Sequence, residues 1–349
     1  MNFRSDNVTG AAPEILAALM TANEGTAASY GADAISARLK ERFSTLFERE
    51  VAVFPVAIGT AANALAIAAV TPPWGVVYCH TESHIQVDEC GAPEFFTGGA
   101  KLMPLEGEDG KITPAAVEAV LVEPGIVHSP QPACISISQA TEAGTVYTVE
   151  EVGALGALAR RRGLSLHVDG ARFANALVAS NASPAALTWR AGVDILSFGA
   201  TKNGALAAEA VVIFDKALAA EFAFRRKRGG HLFSKMRFLA AQLDAYLEGG
   251  LWLKNARHAN AMAQRLAEGL GRIKGARLAH PVEANEVFVD LPEHAIRGLQ
   301  GDGFQFHRWL GEDQTLLRLV TAFDTREADV AAFIAAAERH AARANEKVA

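Results

Sequence analysis

The chain has 349 residues, half of them apolar and 21% charged, with 33 basic against 39 acidic side chains and a net charge of −6. These values describe an ordinary globular protein, long enough for one large or two moderate domains, and exclude the cationic surface that nucleic-acid binding demands, since the only basic block is Arg225–Arg228. Cys79, Cys90 and Cys134 are scattered, with neither metal-ligand spacing nor a disulfide framework, which predicts a reducing, cytoplasmic setting and no metal centre.

The polar opening Asn2–Gly10 sets Arg4, Ser5 and Asp6 side by side ahead of any apolar run, so no export signal is expected. Pro13 opens a helix through Thr21, and a second amphipathic helix is predicted from Ile35 to Phe47. Val51–Val70 is twenty residues without a charge, the length of a bilayer span, but Pro55, Gly59, Thr60 and Asn63 interrupt it. A buried strand, a tight turn and a buried helix fit better, and no membrane segment is expected. The turn Gly59-Thr60-Ala61 joins that strand to a helix start, where free backbone N–H groups and the positive dipole end suit a phosphate.

A strand at Val76–Thr81 leads to Ser83-His84-Ile85. In isolation His84 reads as a half-buried histidine, yet its strand-to-helix junction suits stacking on an aromatic cofactor. Lys101–Pro104 is a short strand, and Thr113-Pro114 opens a helix to about Leu121. Ala133–Ser138 is strand-like, and the polar loop Gln139–Gly144 follows. Thr148 and Glu151 form a capping box for a helix that ends at Gly163, with Arg160, Arg161 and Arg162 complementing its negative end. Strand and helix alternate in this way to about residue 215, which predicts an α/β fold with a mainly parallel sheet covered on both faces.

Helices dominate after Asp215: Ala217–Arg228, Phe233–Glu248 and Trp252–Leu270. Short strands at Ala276–Ala279, Glu286–Leu291 and Leu316–Thr321 then alternate with helices near Ile296 and from Arg326 to Ala342. A smaller α+β domain is therefore expected at the C-terminal end, dividing the chain into 1–249 and 250–349.

Two strand ends carry chemistry. In Asp194–Val212 an apolar strand runs into small residues and presents Lys202 before an Asn-Gly pair; alone, such a lysine reads as the surface residue of a hairpin turn. Upstream, Leu164–Arg172 is a buried-type strand ending on Asp169, 33 residues before Lys202, with Gly170 immediately after. That spacing holds one helix and one strand, so both side chains can face one crevice at the carboxyl edge of a sheet. Pyridoxal phosphate needs this pair, an amine to condense with its aldehyde and an acid to keep its ring nitrogen protonated. Alone, Asp169 would be a turn former or helix cap.

With these motifs in order, the sequence resembles the low-specificity L-threonine aldolases of the aromatic amino acid β-eliminating lyase superfamily, over about Asn2 to Val320. The resemblance implies a fold type I large domain of the aspartate aminotransferase kind, with a mainly parallel seven-stranded sheet and a smaller C-terminal domain, binding pyridoxal 5'-phosphate. It implies that Lys202 bonds the cofactor, Asp169 faces the ring nitrogen, His84 stacks on the ring and Gly59, Thr60 and Ala61 hold the phosphate. Arg237 would reach that phosphate across a subunit boundary, and His128 would be a second active-site histidine. Ser5, Arg172 and Arg318 would grip the substrate carboxylate; a lone Arg318 in an apolar strand would otherwise be costly to bury. Two places depart from the family pattern. Asn203 follows the lysine instead of glycine, and the loop often written Glu-Asn-Thr-His-Asn-Gly reads Gln139-Ala140-Thr141-Glu142-Ala143-Gly144.

The implied reaction is retro-aldol cleavage of a β-hydroxy-α-amino acid to glycine and an aldehyde, in a homotetramer built as a dimer of dimers. The base that takes the β-hydroxyl proton is left open among His84, His128 and water. Another fold type I enzyme (a β-eliminating lyase, racemase or aminotransferase) is the nearest rival, and a catalytically silent cofactor-binding protein is the rival of a different class.

Overall fold

The alternating strands and helices build, in a computed structural model that describes residues 1–309, 311 and 313–342, a seven-stranded sheet ordered β1-β7-β6-β5-β4-β2-β3. Its strands are β1 (Ala52–Val56), β2 (Gly75–His80), β3 (Lys101–Leu105), β4 (Gln131–Ser138), β5 (Ser165–Gly170), β6 (Ile195–Phe198) and β7 (Glu209–Ile213). All run parallel except β7, which is antiparallel to both β1 and β6. The carboxyl ends of the parallel strands and the amino end of β7 therefore share one edge.

Every residue of β2, β6 and β7 is buried, as expected of strands covered on both faces. The period of two sorts them: Ala210 and Val212 of β7 join Phe43, Phe47, Phe173, Phe198 and Trp252 on one face. Val211 and Ile213 join Leu65, Ala66 and Phe222 on the other. On this second face lies the helix Gly59–Val70, so the charge-free stretch is a strand, a turn and a helix. Among the described residues no helix is long and apolar enough to cross a membrane.

A second sheet, antiparallel throughout, follows in the order β10-β11-β9-β8, from β8 (Arg277–Leu278), β9 (Glu286–Asp290), β10 (His307–Arg308) and β11 (Leu316–Val320). The expected division at residue 250 falls in the turn Glu248–Gly250, where Gly249 and Gly250 take φ of 56° and 75°. The helix after it, Leu251–Leu270, serves both cores: Trp252 and Ala256 pack with the large sheet, Met262 and Leu266 with the small one. Residues 343–349 of the expected small domain lie outside the described residues.

The N-terminal arm crosses the molecule. Phe3 is buried in the small core with its ring 5.2 Å from Phe333, and its amide donates to the Gln305 carbonyl. The Ala12 amide donates to the Gly204 carbonyl, beside the lysine turn. One expected element starts late: the helix predicted from Phe233 begins at Arg237, because the preceding segment is turned toward Tyr30, whose amide donates to the Ser234 carbonyl.

Candidate active site

The shared edge holds a cleft of about 380 Å³ lined by Lys202, Asp169, His84, Arg172, Gly59 and Thr60, so six residues singled out in the sequence meet there. Lys202 does lie in a connection between antiparallel neighbours, in the 3₁₀ turn Thr201–Asn203, but the turn opens on the cleft. Two glycines let the strand ends crowd together: a Cβ on Gly199 would lie 2.4 Å from the Ala171 carbonyl oxygen, and one on Gly170 would lie 2.7 Å from that of Ser197. The departure at Asn203 has a structural reason. Its amide donates to Tyr246 Oη (2.7 Å) and to the Trp252 carbonyl (2.8 Å), tying the lysine turn to the large core.

Beneath the turn lies Glu209, the first residue of β7 and a buried one. Its Oε2 accepts from the Ala200 amide at 2.8 Å. Burial pushes this carboxyl up to about 7, against the donors on Thr201 and Ala200 and the charge of Lys202.

Elsewhere in the lining a hydrogen-bonded chain runs from Asp169 to His84. Asn63 Nδ2 donates to Asp169 Oδ2 at 2.7 Å and to Glu89 Oε1 at 2.8 Å. His84 Nδ1 lies 2.8 Å from the same Glu89 oxygen. Burial raises the Glu89 carboxyl, and the bond to Glu89 raises the proton affinity of His84.

Arg172, which lines the cleft, is held by an ionic network whose carboxylates are outside the lining. Arg172 Nε and Nη2 donate to the two oxygens of Asp6 at 2.8 and 3.0 Å, while Nη1 sits 3.2 Å from Glu286 Oε2. Glu286 Oε1 also accepts from Arg318 Nε at 3.0 Å. Burial works against each charge, yet Arg172 holds Asp6 below its ordinary range, and Asp6 with Glu286 holds Arg172 above its own. The anionic partner that burial of Arg318 demanded is thus an internal carboxylate, and Arg318 itself is not among the residues lining the cleft.

The helix Gly59–Val70 points its amino end into the cleft. Ile58 offers no side-chain cap and the space a Cβ on Gly59 would fill is open, so the first amides are available to an anion. Ala61 is buried beside them.

Three other residues picked from the sequence stand apart. Ser5 turns its oxygen to the Asn7 amide at 3.1 Å, and it is Asn7 that lines the cleft. Arg237 reaches the Gly25 carbonyl at 3.5 Å and does not line it. His128 is exposed and lies just before Gln131, the amino end of β4; an eight-residue strand, about 25 Å long, separates it from the cleft edge. Neither Arg237 nor His128 belongs to the cleft of its own chain.

Sequence reasoning missed Asn63, Glu89, Glu142 and Glu209, all in the lining. Asn63 had a signal, as the one amide inside an apolar helix. Glu142 stands in the departing loop and accepts from Ser138 Oγ at 3.3 Å; burial raises its carboxyl, with Asp169 and Glu286 adding to the effect.

Comparison with known proteins agrees with this geometry. A profile of the beta-eliminating lyase family matches residues 2–294. The chain is 44% identical over 328 residues to a low specificity L-threonine aldolase of Pseudomonas sp. (strain NCIMB 10558), covering 94% of each. It is 45% identical over 323 residues to that of Pseudomonas aeruginosa, covering 93% of each. A Leishmania major threonine aldolase structure superposes with a TM-score of 0.91 at 31% identity, covering 97% of this chain and 99% of that one.

Proposed function

We propose, from the premise that this chain belongs to the beta-eliminating lyase family, that it cleaves L-threonine, L-allo-threonine and related β-hydroxy-α-amino acids such as phenylserine to glycine and an aldehyde. The family is pyridoxal-phosphate dependent, and the observation that carries the reading is one cleft lined by an amine, a buried carboxylate and an uncapped helix start. These residues fit the cofactor: Lys202 would bond its aldehyde, Asp169 would hold its ring nitrogen, and the amides of Gly59, Thr60 and Ala61 would bind its phosphate. When bound, pyridoxal phosphate supplies the electron sink for the pair released from the Cα–Cβ bond.

The chain's own residues do the rest. Arg172, the one of the three expected carboxylate contacts that lines the cleft, would orient the substrate carboxylate, and Arg318 and Ser5, which the resemblance adds, would have to turn from Glu286 and the Asn7 amide to join it; that orientation selects which bond at Cα breaks. His84, whose Nδ1 is committed to Glu89, takes the β-hydroxyl proton at Nε2. Incubation of the cofactor-loaded protein with L-threonine and with phenylserine should release glycine and aldehyde without ammonia. Ammonia with a keto acid would reject the reading.

The roles suggested for Arg237 and His128 require a second copy of the chain, at least a dimer, and the resemblance extends this to a homotetramer of two dimers, in the cytoplasm, acting on a small amino acid. Light scattering after size exclusion should give four copies; a monomer with full activity would remove both residues from the site.

A further inference from the structure

Asn63 has no part in the assignments above and Glu89 enters them only as the partner of His84 Nδ1, yet their contacts are among the shortest in the cleft. The Asn63 amide group has two protons and spends one on each of two buried carboxylates, Asp169 and Glu89. Asn63 Oδ1 and Glu89 Oε2 have no partner among the described residues, so the pair is held from one side only. Glu89 Oε1 is shared: it meets the Asn63 amide at 2.8 Å and His84 Nδ1 at 2.8 Å.

We infer that Asn63 and Glu89 are positioning residues forming a relay, Asp169–Asn63–Glu89–His84, that fixes the His84 ring with Nε2 toward the cleft and sets its proton affinity from the cofactor side. The two act in opposite senses. Glu89 attracts the imidazolium and favours a charged ring. Asn63 draws on the same oxygen, which dilutes the negative charge His84 sees, and also separates Glu89 from Asp169, whose charges would repel at that range. The other carboxyl groups acting on His84 are Asp169 on β5 and Glu142 in the loop after β4, both favouring its charged form. Lys202 and Arg172, across the cleft, act on Glu142. The relay gives Asp169 a route to the histidine: a cation placed against Asp169 drains charge from the Asn63 bond and strengthens the Asn63–Glu89 bond in turn.

The assignment of His84 as proton acceptor rests on the proposed reaction; the relay itself does not. The test is nitrogen-15 NMR titration of His84 in the full-length protein, with and without bound pyridoxal phosphate, identified by its loss in His84→Gln. Glu89→Gln, nearly isosteric, should lower the His84 midpoint by about one pH unit or more, and Asn63→Ala should raise it. The pH profile of kcat/KM should move with the NMR midpoint in each variant. Opposite signs identify a relay, because loosened packing would shift both variants in the same direction. Unchanged midpoints, or shifts of one sign, would overturn it. Should Glu89→Gln fail to fold, the upward shift in Asn63→Ala and a downward shift on adding cofactor decide the matter alone. If the midpoints move as stated but no aldehyde is released, the relay stands and the reaction assignment fails.

Discussion

In the cleft lining two carboxylates, Asp169 and Glu89, are joined by a neutral amide; at Arg172, two carboxylates outside the lining, Asp6 and Glu286, are joined by an arginine. The first arrangement supplies no permanently charged cation between the carboxylates, and burial pushes Glu89 upward. The second has two arginines for two carboxylates, and Asp6 is held down instead. A protein that must move protons and also hold an anion in a fixed pose benefits from having both, because groups that change charge make poor clamps.

The comparison can be broken most severely at the lysine of the cleft. Lys202→Ala should abolish activity and the visible absorption of bound pyridoxal phosphate; persistence of that band would mean another amine holds the cofactor. Next comes the ionic network. Arg172→Met leaves Asp6 and Glu286 buried without their shared cation and should cost about 3–5 kcal/mol of stability, read by urea denaturation. A loss under 1 kcal/mol would show that the network is not the clamp described.

The ionic network and the carboxyl at the lysine turn should also respond oppositely to pH. Asp6 is depressed in the folded state, so its contribution is complete above its unfolded value near 3.8 and disappears as pH falls through the lower folded value. Glu209 is raised, so its stabilising protonated form is fully present below the unfolded value near 4.5 and is lost as pH climbs through about 7. In the cofactor-free protein, Glu209→Gln should therefore remove on the order of 2–3 kcal/mol of the stability lost between pH 4.5 and 7. An unchanged slope across that window would refute it. The smallest effect belongs to a site remote from both: Thr148→Ala deletes the capping box of the helix Val149–Arg162 and should cost about 1 kcal/mol, with kcat/KM unaltered.

Local signals were legible where one short stretch contains its own reason. The capping box at Thr148 and Glu151 and the left-handed Gly163 that ends its helix are both present. Lys202 and Asp169 were readable because small residues at strand ends mark an open edge. The relay was not, because Asn63 and Asp169 are 106 residues apart and their bond exists only once β1, β5 and the helix between strands have assembled. The direction of β7 was only half legible: the hairpin reading of Lys202 pointed to antiparallel neighbours, while the apolar run after Glu209 pairs either way, and the reversal is what brings Glu209 to the edge that holds Lys202. Arg318 shows a third kind of gap, in which the need for a counter-ion was plain but its supplier, Glu286 on the adjacent strand, could not be singled out.

The first twelve residues touch three structures at once. Phe3 is part of the small hydrophobic core, Asp6 neutralises Arg172, and Ala12 hydrogen-bonds next to the loop carrying Lys202. Clipping that tail with a protease would thus wound the enzyme three times at one cut, and a bulky fusion displacing Phe3 would be felt as far away as the Lys202 turn.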